Sequence, residues 1–241
     1  MTSLLPASEA RVCFHLLVFV LTVVTPAAWW FVTARIQASP SSRARLMGYQ
    51  LAIVSLLLAT LAVFLLVPPA MFFDIQLQNR GVAWLPSREL ISALAIGLVL
   101  MTALPVFLAR KRGPFRVDVE QQIRKLRELL PQTRQERLWF GLAAVCAGAC
   151  EEVLYRGFLL HYLHVFPWRI NIGTSLLISC VVFGAVHLYQ GFSSILQTVL
   201  LALGLSVLFL STRSLLLPMV LHVLIDLRIF MVLPEPLPSN E

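Results

Sequence analysis

Seven stretches in which apolar side chains run nearly unbroken divide the chain, at 12–33, 46–67, 89–109, 138–163, 170–189, 194–211 and 215–233. Charged residues or Pro, Gly and Ser clusters separate them. A helix needs about 20 apolar residues to cross the roughly 30 Å of hydrocarbon in a bilayer. The runs show no period-two alternation of the kind that barrel strands require, so helices are the spanning structure left. The pattern predicts an all-α fold: a polytopic transmembrane helical bundle of about seven spans, within a range of six to eight.

Composition agrees with that pattern, since 59% of the 241 residues are hydrophobic and only 13% charged, with a mean hydropathy of +0.83. A soluble domain has about 25% charged residues. The net charge of +7 is unevenly spread: residues 110–137 hold nine Lys or Arg against four acids, and 34–45 holds Arg35, Arg43 and Arg45. Basic loops between apolar runs mark the cytoplasmic side, which places both loops inside and the N-terminus outside. The same placement argues against a nucleic acid partner and makes the lipid bilayer the expected one. Arginine outnumbers lysine 17 to 2. That bias is read as the mark of a GC-rich prokaryotic genome, so a bacterial plasma (inner) membrane is the expected location of this multi-pass protein.

Within the basic loop, Val119, Ile123, Leu126 and Leu130 recur at helical spacing with Arg124, Lys125, Arg127 and Glu128 between them. This predicts an amphipathic helix on the cytoplasmic surface, ended by Pro131 and suited to contact with anionic lipid. The expected organisation is three N-terminal spans over 1–110, the basic amphipathic loop over 111–137, a catalytic transmembrane core over 138–233 and a disordered tail over 234–241. The first apolar run lacks a basic segment before it and is long enough to span, so it reads as an uncleaved first helix. Cys13, Cys146, Cys150 and Cys180 lie inside apolar runs without a CxxC pair, and suggest neither a disulfide framework nor a thiolate zinc site.

Against this background a few residues are out of place. Glu151, Glu152 and Asp226 are the acids that fall within spans, and His187 and His222 accompany them. A charge in hydrocarbon costs roughly 2.5–3.5 kcal/mol on the mildest scale, so each needs a partner, water or a function. At about 100° per residue, Glu152 and Arg156 share a helix face and can neutralise each other. Glu151 points elsewhere and must look to another helix. "FGAVH" sets Phe183 and His187 four apart, with Gly184 and Ala185 permitting close backbone approach, and "LHVLID" sets His222 and Asp226 four apart. Converging between helices, a carboxylate and imidazoles form the set that activates water and stabilises an oxyanion. Taken singly, each element also has a structural reading: an ion pair that orients a helix, a satisfied core histidine, a carboxylate that orients an imidazole.

The sequence "EEVLYR", then "FGAVH", then "HVLID" resembles the EExxxR, FxxxH and Hxxx(N/D) motifs of the CAAX-protease and bacteriocin-processing family, also called the abortive-infection domain family. Its members include the type II intramembrane endopeptidases that process prenylated CAAX proteins. The similar region runs from about Trp139 to Phe230. The resemblance implies that Glu151 and His187 activate the attacking water, that His222 and Asp226 stabilise the oxyanion, and that Glu152 and Arg156 support the site. It also implies a peptide or protein substrate, which in the CAAX enzymes is lipidated. The final motif position is Asn in the characterised CAAX enzymes and Asp226 here. An ionised Asp cannot donate to an oxyanion, so Asp226 is expected to orient His222 or to remain protonated.

His187, His222 and Glu151 would also be a legitimate set of ligands for a divalent metal such as zinc. A metal-free glutamate mechanism is the preferred reading and the metal the alternative. There is no HExxH, no nucleophile in a GxSxG context and no pair of intramembrane aspartates, which sets the other intramembrane protease chemistries aside. The competing reading from a different class is a non-catalytic membrane protein, such as a bacteriocin self-immunity factor or a scaffold.

Overall fold

The computed structural model describes residues 7–66, 88–109, 121, 123–124, 126–165 and 168–233, which form an all-α bundle. Seven continuous helical segments follow in order: α1 (7–38), α2 (Ser42–Leu66), α3 (Arg88–Ala109), α4 (134–164), α5 (Ile172–Val186), α6 (Phe192–Thr212) and α7 (Leu216–Leu227). A 3-10 turn, His187–Gln190, extends α5, and another, Arg228–Met231, extends α7. Five segments are long and apolar enough to cross a membrane unaided: Val12–Ala38, Ser42–Leu66, Arg134–His164, Ile172–Gln190 and Ser194–Thr212. The 22 residues of α3 also have spanning length. The last expected span is shorter than its apolar run: α7 has 12 residues, about 18 Å at ~1.5 Å per residue, before the 3-10 turn begins.

Helix boundaries differ from the hydropathy pattern where capping overrides it. Thr133 accepts from the Glu136 amide at 3.2 Å and starts α4 four residues before the apolar run. Asn171 caps α5 in the same way, accepting from the Thr174 amide at 2.9 Å. The expected basic loop over 34–45 is almost entirely helix, because α1 continues to Ala38 and α2 begins at Ser42. Of the amphipathic surface helix expected over 119–130, residues 121, 123, 124 and 126 are helical and turns follow over 127–129, whereas Val119 and the tail over 234–241 lie outside the described residues. Leu130 ends in a buried position beside α4.

The longer α4 brings a charge pair into the protein. Arg45 of α2 grips Glu136 of α4 with two parallel hydrogen bonds, Nε to Oε2 at 2.9 Å and Nη2 to Oε1 at 3.1 Å. Glu136 also accepts from the Gln132 amide at 2.7 Å. Both side chains are buried. Tyr49, one turn further along α2, donates to the Leu129 carbonyl at 2.6 Å.

The centre of the bundle is α4. Over Glu152–Leu159 it widens into π-helix, and all eight residues of that stretch are buried. Leu17 and Leu21 of α1, Val63 of α2, Leu176 and Phe183 of α5, and Ala202 and Phe209 of α6 pack around it. A second apolar cluster joins Leu98 of α3, Leu205 and Leu208 of α6, and Leu221 of α7. Glycines set the tightest approaches. A Cβ on Gly148 would lie 2.5 Å from Val223 Cγ2 and 2.8 Å from the Val223 amide nitrogen, so α4 and α7 meet backbone to backbone. A Cβ on Gly184 would lie 2.5 Å from Val199 Cγ2 and 3.2 Å from the Ile195 carbonyl oxygen, a second close approach, of α5 to α6.

Candidate active site

The "EEVLYR" stretch straddles the change from α- to π-helix: Glu151 is the last α-helical residue and Glu152 the first of the π turn. Single π turns inside α-helices recur at functional sites, because the extra residue per turn redirects side chains and frees backbone carbonyls. Here Ser179 Oγ of α5 donates to the Tyr155 carbonyl at 3.1 Å. Glu152 and Arg156 are buried and form the expected pair, with Nη1 3.1 Å from Oε1. The guanidinium is held further by the Ala202 carbonyl, 3.4 Å from Nη2, and by the Phe183 ring, whose centroid lies 4.5 Å from Cζ.

The close approach at Gly148 brings His222, the neighbour of Val223, onto the two glutamates. Its Nδ1 lies 2.8 Å from Glu152 Oε1. An ionised carboxylate only accepts, so Nδ1 carries the hydrogen. Glu152 Oε1 is thereby shared by Arg156 and His222, a double role that the i,i+4 spacing with Arg156 did not suggest. The other ring nitrogen, Nε2, faces Glu151 Oε2 at 3.7 Å and Asp226 Oδ2 at 3.8 Å, both beyond hydrogen-bond length. The side chains of Glu152, Glu151 and Asp226 are 0%, 15% and 34% exposed. The cluster therefore runs from a dry floor at Glu152 to an open mouth at Asp226.

His187 begins the 3-10 turn after α5. Its Nδ1 is engaged with the Phe183 carbonyl at 2.9 Å, and its ring lies 4.9 Å from the Phe183 ring. It stands within Coulombic range of Glu151, as do His222, Asp226 and Arg156. Phe183 is the shared wall, touching Tyr155 at 4.9 Å and His222 at 5.9 Å between ring centroids as well as Arg156 and His187. Glu151, Glu152 and Arg156 thus come from α4, His187 from the end of α5, and His222 and Asp226 from α7.

Among the described residues, no group of three His, Cys, Asp or Glu side chains is arranged to hold a metal ion. His187 and His222 spend Nδ1 on the Phe183 carbonyl and on Glu152, which leaves each Nε2 as the ring position that would meet a ligand. No step below passes through a metal.

Three contributors were not singled out from the sequence. Ala144 and Gly148, small residues four apart on the buried face of α4, were a readable signal for a close helix contact. Ser179 carries no comparable signal, since it is an ordinary small polar residue.

Residues 133–228 match the family model described as Type II CAAX prenyl endopeptidase Rce1-like. Over that stretch, about two-fifths of the chain, the sequence is similar to the Rce1-like family. The match begins at the cap of α4 and ends in the turn after α7, so it takes in all the residues of the cluster and leaves α1 to α3 outside. No curated protein and no solved structure matches the chain.

Proposed function

We propose that the protein is an intramembrane endopeptidase in which Glu151 activates a water molecule for attack on a peptide bond. The observation that carries this reading is the unequal treatment of two adjacent glutamates. Glu152 is tied to Arg156 and His222. Among the described residues Glu151 has only the looser 3.7 Å approach to His222 Nε2, and it has partial access to solvent. Water and a substrate can reach the carboxylate of Glu151, at 15% exposure, and cannot reach that of Glu152, which is fully covered.

In the reaction, water at the mouth of the cluster gives a proton to Glu151, and its oxygen bonds to the carbonyl carbon of the substrate. His187, beside Glu151, helps to orient that water. The carbonyl oxygen takes the negative charge, which His222 stabilises through Nε2–H while Nδ1–H stays on Glu152. Collapse breaks the C–N bond, and Glu151 returns its proton to the leaving amine, so the products are one carboxylic acid, which then ionises by giving its proton to solvent, and one amine. Arg156 holds Glu152, and Glu152 holds His222. The substrate is a peptide or protein segment that enters from the bilayer, a lipidated one by analogy with the CAAX enzymes, in a bacterial plasma membrane.

The test is cleavage of fluorogenic peptides, with and without a prenylated cysteine, by detergent-purified wild type and Glu151→Gln. Removing a general base costs about 10²–10⁴-fold. The expected result is a loss of that size in kcat with unchanged folding. Full activity in Glu151→Gln would overturn the mechanism, and a folded wild type that cleaves nothing would favour the immunity or scaffold reading. Loss of activity on chelation, restored by zinc, would overturn the metal-free route.

A further inference from the structure

The cluster is rich in acceptors and poor in donors. Glu151, Glu152 and Asp226 surround His222 within 4 Å, and His222 already spends Nδ1 on Glu152. An ionised Asp226 accepts hydrogen bonds and cannot give one to an oxyanion. The donors described so far leave that charge with Nε2 of His222 alone.

Tyr189 lies in the 3-10 turn His187–Gln190. The turn is pinned on one side by α5 and on the other by Gly191, whose φ of +99° redirects the chain into α6. The Tyr189 ring stacks on His187, with centroids 6.2 Å apart and planes inclined by 27°. Its hydroxyl oxygen accepts from Gln190 Nε2 at 2.9 Å. Glu151 and Asp226, the two most accessible carboxylates of the cluster, both lie within Coulombic range of the hydroxyl. A phenol that accepts from an amide has its own hydrogen left to give, and polarisation along the chain strengthens that bond.

We propose that Tyr189 is a catalytic residue: its hydroxyl, polarised by Gln190, donates a hydrogen bond to the oxyanion and supplies the donor that Asp226 cannot. The inference rests on the peptidase reading and deepens it. No proton changes hands at Tyr189, so the bonds made and broken are those given above.

The experiment compares wild type, Glu151→Gln, Tyr189→Phe, Asp226→Asn and the Tyr189→Phe/Asp226→Asn double variant on a fluorogenic prenylated CAAX peptide. Loss of one oxyanion donor costs about 10²–10³ in kcat. Tyr189→Phe keeps the ring on His187, so kcat falls by that factor while KM and thermal midpoint stay near wild type. Adding Asp226→Asn recovers part of the loss, because an amide at that position can donate; a packing role for the ring would give no such recovery. Wild-type kcat in Tyr189→Phe beside an inactive Glu151→Gln would overturn the role of Tyr189 and leave the peptidase reading standing. A wild type that cleaves nothing overturns both. If Tyr189→Phe is recovered unfolded, fluorotyrosines at position 189 decide the matter: kcat that tracks hydroxyl acidity supports the donor, and kcat indifferent to it overturns the donor.

Discussion

The first two spans and the spans that carry the polar cluster are built from similar apolar sequence and use it differently. Of the hydrophobic windows in α1 and α2, 11% is buried, against 39% in α4, α5 and α6. Phe19, Phe31, Leu58 and Leu65 of the first pair are exposed, which in a bilayer is contact with lipid. In α4 the corresponding surface is covered by neighbouring helices, and that covered surface holds Glu152 and Arg156. Lipid accepts an apolar side chain as readily as a protein interior does, so hydropathy alone cannot tell the two kinds of span apart. Buried charge can, because hydrocarbon tolerates it only where the protein provides partners.

Removing one buried partner should therefore hurt most in the half that holds the polar cluster. Arg156→Ala leaves Glu152 charged, fully covered and short of its guanidinium, at a cost of about 3–5 kcal/mol. Its thermal midpoint in detergent should fall accordingly, with reduced folded yield. Glu152→Gln/Arg156→Met, which removes both charges, should lose much less stability yet remain inactive, since His222 is no longer held. If the double variant is as unstable as Arg156→Ala, the pair's packing rather than its charge is what matters.

The next largest effect tests how separate the two halves are. Arg45→Ala strands Glu136, but the Gln132 amide still serves that carboxylate, so the loss should sit near the lower end of ~2–5 kcal/mol. Arg45→Lys should recover only part of it, because an ammonium cannot reproduce the two parallel bonds. An Arg45→Ala protein of unchanged midpoint would mean that α2 merely leans on α4, and the first spans would be lipid-facing padding.

Much of this was readable beforehand, for a physical reason. Long apolar runs have few fates, so the helical bundle follows from length and the absence of alternation. Glu151, Glu152, Arg156, His187, His222 and Asp226 could be picked out because each is anomalous in a span. What could not be read was pairing at finer scale. A period of 100° per residue assigned Glu152 to Arg156 alone, while the π turn and the Gly148 contact let His222 reach the same carboxylate. Arg45 and Glu136 looked like loop charges, because they lie just outside the apolar runs. The Thr133 cap and the early start of α2 draw both into helices, where they meet.

The smallest expected effect uses one substitution in the two environments. Gly148→Ala places a methyl against the backbone of Val223, which cannot swing aside as a side chain tip would. Either α7 withdraws or α4 bends, and overpacking of this kind costs about 1–3 kcal/mol. Val223 adjoins His222, so the displacement also lengthens the 2.8 Å contact with Glu152, and kcat should fall with the midpoint. Gly97→Ala in α3 meets nothing within 4 Å. There the substitution removes a flexible residue from an exposed helix, and should be neutral or stabilise by roughly 0.5–1 kcal/mol with activity unchanged. Equal losses at both positions would erase the distinction between site-forming and lipid-facing helices; a loss at Gly148 alone locates it at the contact between α4 and α7.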